Sequence, residues 1–101
     1  MASKASPEQL VASLDQAVVR LRSLHQERWA NWLERDRNLI ASGDFFGVTH
    51  LLSAFGGSGS ISDLLFPVQG GAEFRRDTEL DVLLNRVYSV ADELRREEVK
   101  R

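Results

Sequence analysis

The chain has no cysteine, two prolines and one methionine, and nowhere in its 101 residues does an apolar run approach the roughly 20 residues that cross a bilayer. Without cysteine there are no disulfides, no thiolate metal sites and no cysteine nucleophile. An excess of one charge is missing too. The formal net charge is -2, with six Lys/Arg and six Asp/Glu in residues 1–50 and seven and nine in residues 51–101. Such an even spread gives no long-range pull towards phosphate backbones or anionic membranes, so neither nucleic acid nor a membrane is an expected partner. Residues 1–9 are polar and lead into a stretch broken by Asp15, Arg20 and Arg22, which is not a secretory signal; a bacterial, cytoplasmic setting is expected. Two histidines, His25 and His50, stand at no metal-ligand spacing, and no serine sits in a nucleophile elbow. No metal, cofactor or catalytic set is predicted.

What is present is ordinary globular material, 43% hydrophobic and 28% charged, in a length that closes one core. The expected organisation is a disordered tail over 1–5, a single helical domain over 6–96 and a frayed tail over 97–101. Ser6-Pro7-Glu8-Gln9 reads as a helix start, with Ser6 capping, Pro7 in the first turn and Gln9 completing a capping box. Behind it Leu10, Leu14, Ala17/Val18, Leu21 and Leu24 form an apolar stripe at three- and four-residue spacing. A second helix carries Trp29, Trp32, Leu33, Leu39 and Ile40 and is closed by Gly43. A break near residues 25–26 is predicted, because one rod over both segments could not fold back onto a shared core.

Asp44 caps a third, shorter helix with Val48, Leu51, Leu52 and Phe55 on its apolar face, stopped by Gly56. Ser60-Ile61-Ser62-Asp63 looks like a further capping box that opens a short helical turn before Pro67. Residues 67–76 read as an irregular connection, and the last helix starts at Asp77 or Thr78 and frays from Arg95. No strand alternation stands out. The fold class predicted is all-α, a compact four-helix bundle-like domain with a Gly/Ser-rich turn and one short extra helical turn.

Four places invite a functional reading, each with a plainer one. The segment Gly56-Gly57-Ser58-Gly59-Ser60 could gather backbone N–H groups of Gly57, Ser58, Gly59 and Ser60 around an anion or nucleotide. It lacks the phosphate-loop lysine, and Asp63 follows in the first turn, so the plainer account is two helix caps and a corner. Trp29 and Trp32 are core filling or a ligand platform. Asp36 falls on the packing face of its helix and needs a partner, for which the N–H array of the glycine segment is one candidate. Phe74-Arg75-Arg76 has the aromatic-plus-arginine composition of an interface, against the plainer account that Phe74 tucks under the last helix. His25 and His50 read as surface histidines, although Asp44 or Asp63 approaching His50 would make an acid/base pair.

Trp29-Ala30-x-Trp32-Leu33, then Gly43-Asp44-x-x-Gly47, then Leu51-Leu52-x-x-Phe55-Gly56-Gly57-x-Gly59-Ser60-Ile61-x-Asp63-Leu64 resembles a group of small bacterial domains of unknown function. Their shared pattern is a tryptophan helix, an Asp-x-x-Gly step and Gly-Gly-Met-Gly-Ser-(Leu/Ile/Phe)-Asn-Asp. The likeness covers 29–66 and returns around Leu84 to Leu94, with Ser58 in place of Met and Ser62 in place of Asn. It implies the helical fold and assigns no activity. By analogy, similar small acidic helical proteins accompany bacterial toxins as immunity partners. The function expected is therefore a non-enzymatic protein-binding or accessory domain, with an anion-binding domain as the alternative and a homodimer as a further way to cover the apolar helix faces.

Overall fold

In the computed structural model, which describes residues 5–56 and 59–99, Ser6 opens the first helix with the reciprocal bonds its sequence predicts. The Gln9 N–H donates to Ser6 Oγ at 3.1 Å and the Ser6 N–H donates to Gln9 Oε1 at 3.0 Å. Helix α1 (Pro7–Ser23) buries Leu10, Leu14, Ala17, Val18 and Leu21. The chain then turns at His25, whose φ of 62° is the left-handed conformation that glycine usually supplies at a helix end. The Gln26 N–H reaches back to the Leu21 carbonyl at 2.8 Å, and α2 (Glu27–Ala41) begins at once, so the break falls where it was expected. Ion pairs from Arg22 to Glu27 and Glu34, and from Arg37 to Asp15, clasp α2 along α1.

Gly43, at φ 89°, ends α2, and Asp44 Oδ1 accepts from the Phe46 N–H at 2.9 Å to start α3 (Phe46–Leu52). Beyond it Ile61 is fully buried and its N–H donates to the Ala54 carbonyl at 3.0 Å, which folds the glycine corner onto the core. A single 3₁₀ turn (Ile61–Asp63) supplies the expected extra turn without its expected cap. Ser60 Oγ instead bonds Ser62 Oγ at 2.8 Å, while Asp63 Oδ2 accepts from the Gly59 N–H at 3.0 Å.

Two further expectations need correction. The connection 67–76 is not irregular throughout: β1 (Phe66–Pro67) and β2 (Phe74–Arg75) pair antiparallel, Phe66 with Arg75 and Pro67 with Phe74, around a turn with Gly70 at φ 83°. Strands of two residues are too short to leave an alternation in the sequence. Helix α4 (Thr78–Val99) opens on Asp77, whose Oδ1 accepts from the Leu80 N–H at 2.8 Å, and it stays regular through Val99 instead of fraying from Arg95. Asp92 holds both Arg95 and Arg96 across its last turns.

Residues from all four helices and the 3₁₀ turn meet in one core, with Leu10, Leu14, Leu21, Leu33, Leu51, Ile61, Leu80 and Val87 fully or almost fully buried. The fold is a small all-α domain carrying one short ribbon. Among the described residues, no helix is long and apolar enough to cross a membrane.

Candidate functional site

Two regions carry the chemistry, and the sequence points clearly to one of them. That region is the hairpin and the corner beside it. Opposed residues of an antiparallel pair share a face, so Leu65, Pro67 and Phe74 line one side of the ribbon while Phe66 and Val68 line the other. Phe66 packs against the core, whereas Leu65 and Phe74 are 53% and 61% exposed. Phe74 does not tuck under α4. Arg75 is exposed with Glu73 3.7 Å away, and Arg76 Nη1 donates to the Ser62 carbonyl at 2.8 Å, tying the hairpin to the 3₁₀ turn. A hollow opens there between Phe55, Gly56, Ser62, Arg76, Asp81 and Tyr88.

Among the described residues of the glycine segment, part of the hydrogen-bonding capacity is spent within the chain. The Gly59 N–H is taken by Asp63 and the Ile61 N–H by Ala54, while Ser60 is buried and its hydroxyl is shared with Ser62. Gly57 and Ser58 lie outside the described residues. Gly56, at φ 87°, closes the turn that follows α3, which itself ends at Leu52.

The second region is built where α3 crosses α2. A Cβ at Gly47 would stand 2.9 Å from the Asp36 carbonyl oxygen, from Ile40 Cγ1 and from Leu39 Cβ, so the two helices meet at a contact distance that admits no side chain. One turn beyond, His50 is thereby laid over Asp36. The carboxylate is fully buried, and His50 Nδ1 lies 2.8 and 3.0 Å from its two oxygens. An N–H shared between two acceptors has this geometry, so Nδ1 carries the proton and donates. The imidazole stacks on Trp32 at 4.7 Å and on Phe46 at 5.7 Å between ring centroids. Burial pushes the Asp36 carboxyl above its ordinary range. The His50 bond opposes this most, followed by the charges of His50 and Arg35; the Trp32 indole N–H, buried without a partner of proper hydrogen-bond geometry, favours the anion weakly.

Asp36 is on the packing face, as its spacing predicts, and among the described residues its partner is His50, not a glycine amide. His50 in turn is no plain surface histidine, and neither Asp44 nor Asp63 reaches it, since both carboxylates cap local backbone N–H groups. His25 is exposed at the α1–α2 corner. Trp29 packs partly against the core, with its ring 5.3 Å from that of Trp32 and Arg28 above it at 5.6 Å. The signal that would have exposed the dyad is Gly47, a residue without a side chain in the first turn of α3, one turn ahead of a histidine.

A family model described as a domain of unknown function (DUF6966) matches residues 22–73, just over half of the chain. The chain belongs to that family. The matched residues take in the tryptophans, the Asp36–His50 pair, the glycine corner and the start of the hairpin, and stop one residue before Phe74. No curated protein and no solved structure matches the chain.

Proposed function

We propose that the chain is a non-enzymatic binding or accessory protein that docks a partner protein on the outward face of the hairpin. The observation that carries this reading is the joint exposure of Leu65, Pro67 and Phe74 on one side of a ribbon whose other side is anchored through Phe66. With the ribbon's backbone already paired, covering these side chains costs the ordering of the side chains alone, and the apolar area they bury contributes to affinity. Arg75, opposite Phe66 in the ribbon, is exposed with one distant carboxylate, and a partner that lays an apolar ridge on the outward face and reaches round the ribbon's edge with Asp or Glu satisfies both features. Immunity to a bacterial toxin is one setting that suits a small acidic helical protein with such a surface.

The test is co-purification from a native host, identification of the stoichiometric partner, and titration of that partner against wild type, Leu65→Ser and Phe74→Ser. Each substitution is expected to weaken binding at least about tenfold while leaving the melting temperature within a degree or two, since neither side chain is part of the core. Repeated recovery of the free monomer, or full affinity in Phe74→Ser, removes the reading.

A further inference from the structure

We propose that the hollow bounded by Asn31, Trp32, Arg35 and His50 is a binding site for a small oxyanion, a phosphate or carboxylate group, held by His50 Nε2 and the Arg35 guanidinium. It shares no residue with the hollow beside the hairpin. Four observations converge on it.

His50 spends Nδ1 on a carboxylate that has no access to water, which leaves Nε2 as the nitrogen without a hydrogen bond among the described residues; the side chain is 30% exposed. The ring is held in that pose by Trp32 on one contact and Phe46 on another, so a ligand meets a nitrogen already in place and no rotamer has to be ordered. Arg35 lines the same hollow and forms no ion pair or side-chain hydrogen bond among the described residues, whereas its neighbours Arg22 and Arg37 are both engaged with carboxylates. Asn31 lies one turn before Arg35 on α2. Its Oδ1 accepts from Arg22 Nη2 at 3.1 Å, which turns its amide donors loose for another acceptor.

The chemistry follows from these partners. An anion between Arg35 and His50 draws a proton onto Nε2, because the imidazolium is flanked on its other side by the Asp36 carboxylate and the charges then alternate: Asp36 negative, His50 positive, ligand negative, Arg35 positive. The charged groups that face His50 are Asp36 from α2 and Arg35 from the same helix; Glu27 and Glu34, further along α2, are held by Arg22. Binding should therefore be coupled to the uptake of a proton.

The experiment follows the imidazole resonances of His50 by NMR during titration with inorganic phosphate and, separately, with acetate, at constant ionic strength. His25, exposed at the α1–α2 corner and not among the residues that line the hollow, is the internal control. Saturable movement of His50 with His25 still is the expected result; saturation by phosphate with acetate flat assigns a phosphoryl ligand, and the reverse assigns a carboxylate. Arg35→Ala, at an exposed position, should weaken the site at least about tenfold with little change in melting temperature, and calorimetry in buffers of differing ionisation enthalpy should register proton uptake that His50→Gln abolishes. Parallel, unsaturating drift of both histidines, or an Arg35→Ala protein that titrates like wild type, overturns the assignment.

Discussion

Asp36 and Asp77 each join two helices through a single side-chain pair, and the fold treats them in opposite ways. Asp77 sits at the mouth of α4, where two guanidinium N–H groups of Arg20 and the Leu80 N–H all donate to it. That Arg20 bond, the largest influence, holds its carboxyl below the ordinary range against a smaller penalty from burial. Asp36 is sealed in the α2–α3 crossing with one imidazole as its partner among the described residues, and there burial outweighs the histidine and holds the carboxyl high. A carboxylate with three donors at a helix N-terminus stabilises; a dry carboxylate with one donor is close to break-even or worse than an apolar side chain of its size. The first is architecture, and the second is an orienting group whose use lies in what it does to His50.

The contrast breaks most visibly at Gly47. Gly47→Ala puts a Cβ against the Asp36 carbonyl and two neighbouring side chains, and overpacking of this kind costs about 2–3 kcal/mol. Urea denaturation should show that loss, and NMR should show His50 leaving the Asp36 environment while the Arg20–Asp77 end of the molecule keeps its shifts. A His50 signal unmoved by the substitution would mean that the close crossing does not position the dyad.

Next in size is Asp77→Ala, which removes the α4 cap and should cost about 1–2 kcal/mol at neutral pH. The pH dependence separates the two carboxylates by sign. Asp77, depressed in the folded state, contributes stability that is present above the ordinary carboxylate range and is lost as pH falls through its folded value. Asp36, raised in the folded state, contributes stability that is full below the ordinary carboxylate range and is lost as pH rises through its folded value. Melting profiles of Asp77→Asn should flatten on the acid side and those of Asp36→Asn on the side above it. Two profiles that flatten in the same window would erase the distinction.

These two regions also differ in how far the sequence discloses them. The start of α4 was legible: Asp77 or Thr78 opens it, with cap chemistry expected in Thr78-Glu79-Leu80-Asp81, and it is Asp77 that takes the cap, its donor three residues on. Ser6, Gly43 and the apolar stripes of α1, α2 and α4 were legible for the same reason, that their physics is local. Asp36 was legible as a problem, a carboxylate on a packing face, but its solution lies 14 residues away and exists once α3 crosses α2 at Gly47. The Asp44-x-x-Gly47 step was visible as a motif, and its steric meaning was not. The hairpin escaped because two-residue strands carry no period, and the Ser60–Asp63 cap failed because Asp63 turned back to the Gly59 N–H instead.

The smallest expected change is the most informative. Asp36→Leu keeps a buried side chain of similar reach, removes a desolvated carboxylate, and leaves His50, which is part exposed, free to satisfy Nδ1 with water; folding stability should stay within about 1 kcal/mol of wild type or rise. If the dyad were there to hold α2 to α3, this replacement would cost several kcal/mol, as breaking a needed buried pair does. A neutral or stabilising result in thermal and urea unfolding, together with an imidazole freed from its fixed tautomer in the NMR spectrum, would separate the two jobs. Packing at the crossing would belong to Gly47 and its apolar neighbours, and the carboxylate would belong to the histidine.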